Sequence, residues 1–298
     1  AMFFTPFGRQ RRIARAGPAG AFNLGKAIRA GAEDADNGNA VIRPDMAVAG
    51  IEEGEFNDRA LLNLPGLQEE MIKRIAATGQ PVVVLLVGGS AITMNNWIDQ
   101  VPAILDVWYP GDAGGEAVAD VLFGDYNPAG RLPVTFYKSD NDLPGFLDYS
   151  MEGRTYRYFK GEALYPFGHG LSYSMFNYSG LQLPKTIAAN KPVTVTVTVK
   201  NTGKRDGDEV VQLYVSHQQT KSKAPIRALK GFKRIALKAG ESKTISFKLT
   251  PEELALVNET TGKYYQPKGK VQISVGGGQP GVKNKTTSNV VSSQLLIQ

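Results

Sequence analysis

Residues 193–199 read VTVTVTV, a strict alternation of valine and threonine. Side chains of an extended chain point in turn to its two faces, so this stretch specifies a strand with one apolar and one polar face. A helix built from it would scatter the valines around its circumference and press β-branched side chains against the preceding turn. The same period returns downstream. In VVQLYVS, Val211, Leu213 and Val215 share one face, and KTISFKL and KVQISVGG alternate as well. NTGKRDGD and LKAGES supply the turns between them. A succession of short strands and turns without helical periodicity predicts an all-β sandwich over residues 181–298.

Upstream the pattern changes. LPGLQEEMIKRIAATG has the marks of a helix, with Pro65 at its start, Leu67, Met71, Ile72 and Ile75 on one side, and Gly79 placed to end it. QPVVVLLVGGS is a continuous apolar run, as expected of a parallel strand covered on both faces. VPAILDVWYPG reads as the next strand, GGEAVADVLFG as a short amphipathic helix, and PDMAVAGIEEG as a short buried strand running into a loop. Strands alternating with helices predict an α/β sandwich with a largely parallel sheet over residues 46–145. Residues 1–45, rich in alanine, glycine and arginine, read as a lead-in, partly disordered or helical. Residues 146–180 are irregular but aromatic, so they are expected to pack as a linker onto the first domain; a disordered linker would carry fewer aromatics.

Composition narrows the chemistry. The chain has no cysteine, which excludes disulfides, thiolate metal sites and a cysteine nucleophile. Its two histidines, His169 and His217, have no partner at metal-ligand spacing, and no Gly-x-Ser-x-Gly elbow is present. The 34 basic residues against 28 acidic ones are spread out, so no nucleic-acid partner is expected, and the run GRQRRIARAG reads as solvated. AMFFTPFG lacks the apolar core of a secretory leader. No apolar run reaches the roughly 18 residues of a membrane-spanning helix. GGS at 88–90 lacks the lysine and the longer glycine pattern of a phosphate loop.

Against this basic background, GIEEGEFNDRALLNLPG, residues 50–66, crowds Glu52, Glu53 and Glu55 between two glycines, with Asp58 and Arg59 following. Taken alone, such a stretch is a solvated acidic loop. Trp97, Trp108 and Tyr109 are candidates for a sugar-stacking wall, with core packing as the alternative.

Three blocks, GGEAVADVLFGDYNPAGRLPVTF, ALYPFGHGLSYSMF and LKGFKRIALKAGESKTISFKL, resemble the C-terminal half of family 3 glycoside hydrolases, the β-glucosidases, β-xylosidases and their relatives. The acidic stretch is similar to a fourth block of that family, and the resemblance runs from about residue 45 to about 275 in the family's order. It implies a TIM-like barrel followed by an α/β sandwich and a fibronectin type III-like domain, the last two being those read here. It also implies retaining hydrolysis of a β-linked glucoside or xyloside, with no metal or organic cofactor. Retaining enzymes use two carboxylates about 5–5.5 Å apart. In the family the nucleophile is a barrel aspartate and the acid/base is a glutamate on a loop of the α/β domain. By this resemblance Glu55 is the first candidate for acid/base and Glu53 the second, with Arg59 and Trp97 as candidate substrate-binding residues. "NPAGRLP" reads as a structural turn in which Arg131 ties loops together, and "YPFGHGLSY" as a segment docked in a groove with His169 hydrogen-bonded there; His217 is expected to be exposed.

The departure from the pattern lies in the barrel. The family's Ser-Asp-Trp-like nucleophile segment has no counterpart, since Trp97 and Trp108 follow Asn96 and Val107, and neither histidine follows a lysine. A barrel needs about 200–250 residues, and no such span precedes residue 50. The partner expected is therefore a TIM-barrel domain or chain, besides a β-linked oligosaccharide or glycoside, and the isolated chain is expected to be inactive. The alternative is a non-catalytic module that binds carbohydrate or supports a larger assembly.

Overall fold

In a computed structural model the described residues are 2–4, 61–218, 220, 223–282 and 286–298. The lead-in helix near 21–36, the strand expected at PDMAVAGIEEG and the acidic stretch as far as Ala60 lie outside them.

The first layer is an α/β unit. Strand β1 (Met2–Phe4) lies antiparallel to β3 (Ala103–Asp106), which lies parallel to β2 (Val83–Leu86), giving the order β1-β3-β2. The expected parallel pairing is present, and the sheet is mixed because β1 joins it in the opposite sense. The helix expected before β2 spans Gln68–Ala77. Gly79 follows it at φ 77°, the left-handed geometry that ends helices most cheaply when no Cβ is present. Ile72 is the buried residue of this helix and joins Leu86, Ile92, Met94, Trp97, Ile98 and Ile104 in one cluster. The second helix, Gly114–Phe123, packs with Ala103, Leu105 and Val107 through Val121.

The second layer is the β-sandwich. One sheet has the order β4-β6-β9, from Phe176–Gln182, Val193–Asn201 and Ser242–Leu249. The other runs β5-β13-β12-β7-β8, from Thr186–Ile187, Val290–Ile297, Gly269–Gly276, Gly207–His217 and Ala228–Leu237. A short hairpin pairs β10 (Leu256–Val257) with β11 (Tyr264–Tyr265). Every valine of VTVTVTV is buried, facing Val211, Leu213 and Val215 from the opposite sheet in a single apolar core. The sandwich takes in the chain from Phe176, which pairs with Asn201.

The alternation in β7 has a second consequence. Gln212, Tyr214 and Ser216, on the face away from the core, are buried too. The aromatic segment packs on the first two. Gln212 Nε2 donates to Gly168 O and Gly277 O at 3.0 Å, and Tyr156 stacks on Phe167 at 4.2 Å while meeting Tyr214 edge-on at 6.2 Å. Residues 164–169 in turn bond back to the first unit, with Phe136 N donating to Tyr165 O at 2.8 Å and Leu132 N to His169 O at 2.8 Å. The two units are thus joined across one polar and aromatic interface. Asn127 clamps it, accepting from Ser172 Oγ and Tyr173 N at 2.8 Å and donating to Asp206 O at 2.9 Å.

Candidate functional site

Open α/β sheets present their binding crevices at the carboxyl ends of parallel strands. Here that edge is made by Val87–Ser90 after β2 and by Val107–Gly111 after β3. Asp106 closes β3 with its side chain buried at 4% exposure. Its Oδ1 accepts a long bond from Trp108 N at 3.4 Å, and its Oδ2 finds no hydrogen-bond partner among the described residues. Burial raises the carboxyl to a pKa of about 6, against the opposing pull of the Trp108 amide. Sequence reading missed this residue; its one signal was a single carboxylate inside the apolar run AILDVWY.

Trp108 has φ 54°, in the left-handed region that a bulky side chain rarely enters. The turn sends its ring inward against Phe136, edge-on at 6.4 Å, and Tyr109 outward to 72% exposure. Trp97 is 1% exposed within the core cluster of the first unit. Its ring offers no face to a ligand, so of the three aromatics considered for a stacking wall only Tyr109 is open.

Glu53, Glu55 and Arg59 lie outside the described residues. What is described is the point where their stretch rejoins the fold. Leu62 N donates to Asp140 Oδ1 at 2.7 Å, and Leu62 O accepts from Thr93 N at 2.9 Å, so the chain leaves the acidic stretch directly onto the α/β unit. Among the described residues no three of His, Asp and Glu come together as a metal site.

The remaining polar residues singled out in the sequence belong to the interface. Arg131 reaches from NPAGRLP to the sandwich, with Nη2 2.7 Å from Glu209 Oε2 and Nε donating to Gly277 O at 3.3 Å. His169 is buried beside Tyr165, ring centroids 4.9 Å apart, and burial, aided by Arg131, lowers its pKa to about 3. His217, expected to be exposed, is half-buried at the end of β7, and burial with Lys230 nearby lowers it to about 4.

His169 carries a pH prediction. The folded ring stays neutral down to about pH 3, whereas in the unfolded chain it binds a proton below about 6.5. The unfolded state then holds more protons, so stability falls as pH drops from about 6.5 towards 3, by at most about 1.4 kcal/mol per pH unit from this group. Urea unfolding of His169→Gln at pH 7 and pH 4.5 should show a smaller acid-induced loss than the parent chain. Equal losses would remove His169 from that account.

Comparison with known proteins identifies the two units. Residues 15–173 match the glycosyl hydrolase family 3 C-terminal domain, and residues 209–279 match the fibronectin type III-like domain. A xylan 1,4-β-xylosidase of Xylanibacter ruminicola is 43% identical over 226 residues, covering 76% of this chain and 26% of the relative. A β-xylosidase of Formosa agariphila is 44% identical over 244 residues, covering 80% of this chain and 34% of the relative. The solved structure of a β-glucosidase of Erythrobacter marinus superimposes with a TM-score of 0.70 at 34% identity, covering 88% of this chain and 33% of that one. The chain thus spans about a third or less of the length of these proteins. Two successive family matches, in the order and with the folds seen here, carry the conclusion that this chain belongs to the glycosyl hydrolase family 3 C-terminal domain family, followed by a fibronectin type III-like domain.

Proposed function

We propose that this chain supplies the general acid/base of a retaining β-glycosidase acting on β-linked glucosides or xylosides, and that the nucleophilic aspartate comes from a TIM-barrel domain, in the same polypeptide or another. The observation that carries the reading is the family match over residues 15–173, which includes the acidic stretch EEGEFNDR. The anchoring of Leu62 on Asp140 and Thr93 supports it, because a loop that must reach across a domain boundary needs a fixed end.

In this reading Glu55, with Glu53 as the alternative, is protonated when substrate binds. It gives its proton to the glycosidic oxygen as the barrel aspartate attacks the anomeric carbon. As a carboxylate it then takes a proton from the water that opens the glycosyl-enzyme. A general acid needs a raised pKa, and like-charged neighbours are one means of supplying it. In the same reading Arg59 is a substrate-binding residue.

The test is an activity measurement on the 298-residue chain, alone and mixed with a family 3 barrel domain. Alone, it should not release nitrophenol from nitrophenyl β-xyloside or β-glucoside above buffer. With the barrel, activity should appear and depend on the acidic stretch. Turnover by the chain alone that disappears in Glu55→Ala would contradict the division of labour.

A further inference from the structure

We propose that Tyr109, seated on Gly89 at the carboxyl edge of β2 and β3, is a stacking platform for a pyranose ring of the glycoside. The inference rests on the glycosidase reading for its ligand class, but its geometry is independent of the acidic stretch.

Three observations meet at this edge. Tyr109 is an exposed aromatic at the end of a parallel strand, 72% open, where strand ends form binding crevices. Its ring is also held. A Cβ placed on Gly89 would stand 2.8 Å from Tyr109 Cε2 and 3.1 Å from its hydroxyl, so the missing side chain of Gly89 is the seat of the ring. The Cε2–Cζ–Oη side of the ring therefore sits over Gly89, and the rest of the ring is open to solvent. Finally, the neighbouring Trp108 is kept at φ 54°. A non-glycine residue held there costs on the order of 1–3 kcal/mol, and such strain gathers at binding sites. Here its effect is to turn Trp108 in and Tyr109 out.

The chemistry of the ligand follows. A β-linked gluco- or xylopyranose carries its hydroxyls equatorially, so each ring face presents axial C–H bonds only. That flat apolar face fits an immobilised aromatic ring, while the hydroxyls remain at the rim in water. A phenol ring already fixed by the backbone loses little conformational freedom when the sugar arrives.

The full chain titrated with xylotriose and with cellotriose, followed by saturation-transfer NMR, should bind one or both with a Kd in the millimolar range, about what a single stacked ring sustains. Tyr109→Ala should weaken binding by roughly five- to tenfold. Tyr109→Phe should stay within about twofold, because the ring and not the hydroxyl makes the contact. Gly89→Ala should behave like Tyr109→Ala, since its methyl group displaces the ring. Both sites are at the surface, and an unchanged melting temperature for each variant confirms that folding is intact. A natively melting chain that binds neither sugar, or a Tyr109→Ala variant that binds as well as the parent, overturns the platform. If Tyr109-dependent binding is found but no barrel domain elicits hydrolysis, the glycosidase reading fails and the platform stands. If barrel-dependent hydrolysis is found with KM unchanged in Tyr109→Ala, the reverse holds.

Discussion

Arg131→Met is expected to destabilise the chain by about 3–5 kcal/mol, the usual consequence of leaving one member of a buried ion pair alone. Arg131 and Glu209 are 7% and 0% exposed in their side chains, and they meet at 2.7 Å. Tyr178 Oη donates to Oε1 at 2.7 Å and Ser288 Oγ to the same atom at 2.8 Å, so losing Arg131 takes the guanidinium from Oε2 while both remaining donors stay on the other oxygen. The effect should be larger than at any surface pair. Arg74 and Glu70, at 2.8 Å but 63% and 51% exposed, should cost under about 1 kcal/mol when broken. Urea unfolding of Arg131→Met, Glu209→Leu and the double variant forms a thermodynamic cycle. The double variant should lose much less than the sum of the two singles, because it removes both charges together. Single losses below about 1 kcal/mol would mean that the interface is wet and that the two units are not locked together by this pair.

That pair also marks where sequence reading stopped. The strands of the sandwich were legible because the valines of VTVTVTV, and Val211, Leu213 and Val215 of VVQLYVS, recur every second position and that face meets the core. The helix before β2 was legible from its apolar spacing and from the glycine at its end, although Leu67 and Met71 stand exposed and Ile72 is the residue it buries. The reach of Arg131 was expected, but its partner was not. Glu209 lies 78 residues away, two positions before Val211 on the core-facing side of β7, where nothing in the local sequence names a partner for it. Gln212 bonds to Gly168 and Gly277 and Tyr214 meets Tyr156, all from distant segments, and no local period encodes such contacts. The same limit explains His217, whose surroundings are set by another strand. Near the site, the outward Tyr109 and the inward Trp97 are indistinguishable by residue type; backbone geometry at Trp108 and the room left at Gly89 separate them. Asp106 is the converse case, a polar residue inside an apolar run whose burial follows from the run itself.

The largest effect on function is expected at Glu55. With a barrel domain present, Glu55→Ala should lower kcat/KM for a disaccharide or alkyl glycoside by about 10²- to 10⁴-fold, the range of general acid catalysis. An alkoxide leaves poorly without a proton, whereas a dinitrophenolate leaves unaided, so the same substitution should barely change kcat/KM for the dinitrophenyl glycoside. Its kcat should still fall, because opening of the glycosyl-enzyme needs the base. Azide, which attacks without base help, should restore turnover and give a β-glycosyl azide.

The most direct measurement is the ratio of kcat/KM losses for those two leaving groups, taken for Glu55→Ala and Glu53→Ala side by side in the barrel-complemented enzyme. A loss for the alkyl glycoside exceeding that for the dinitrophenyl glycoside by about 100-fold or more, in Glu55→Ala alone and with azide rescue, is the expected result. The same signature in Glu53→Ala alone would move the role by two residues. Equal, leaving-group-independent losses in both variants, with no rescue, would contradict the claim that this chain carries the acid/base.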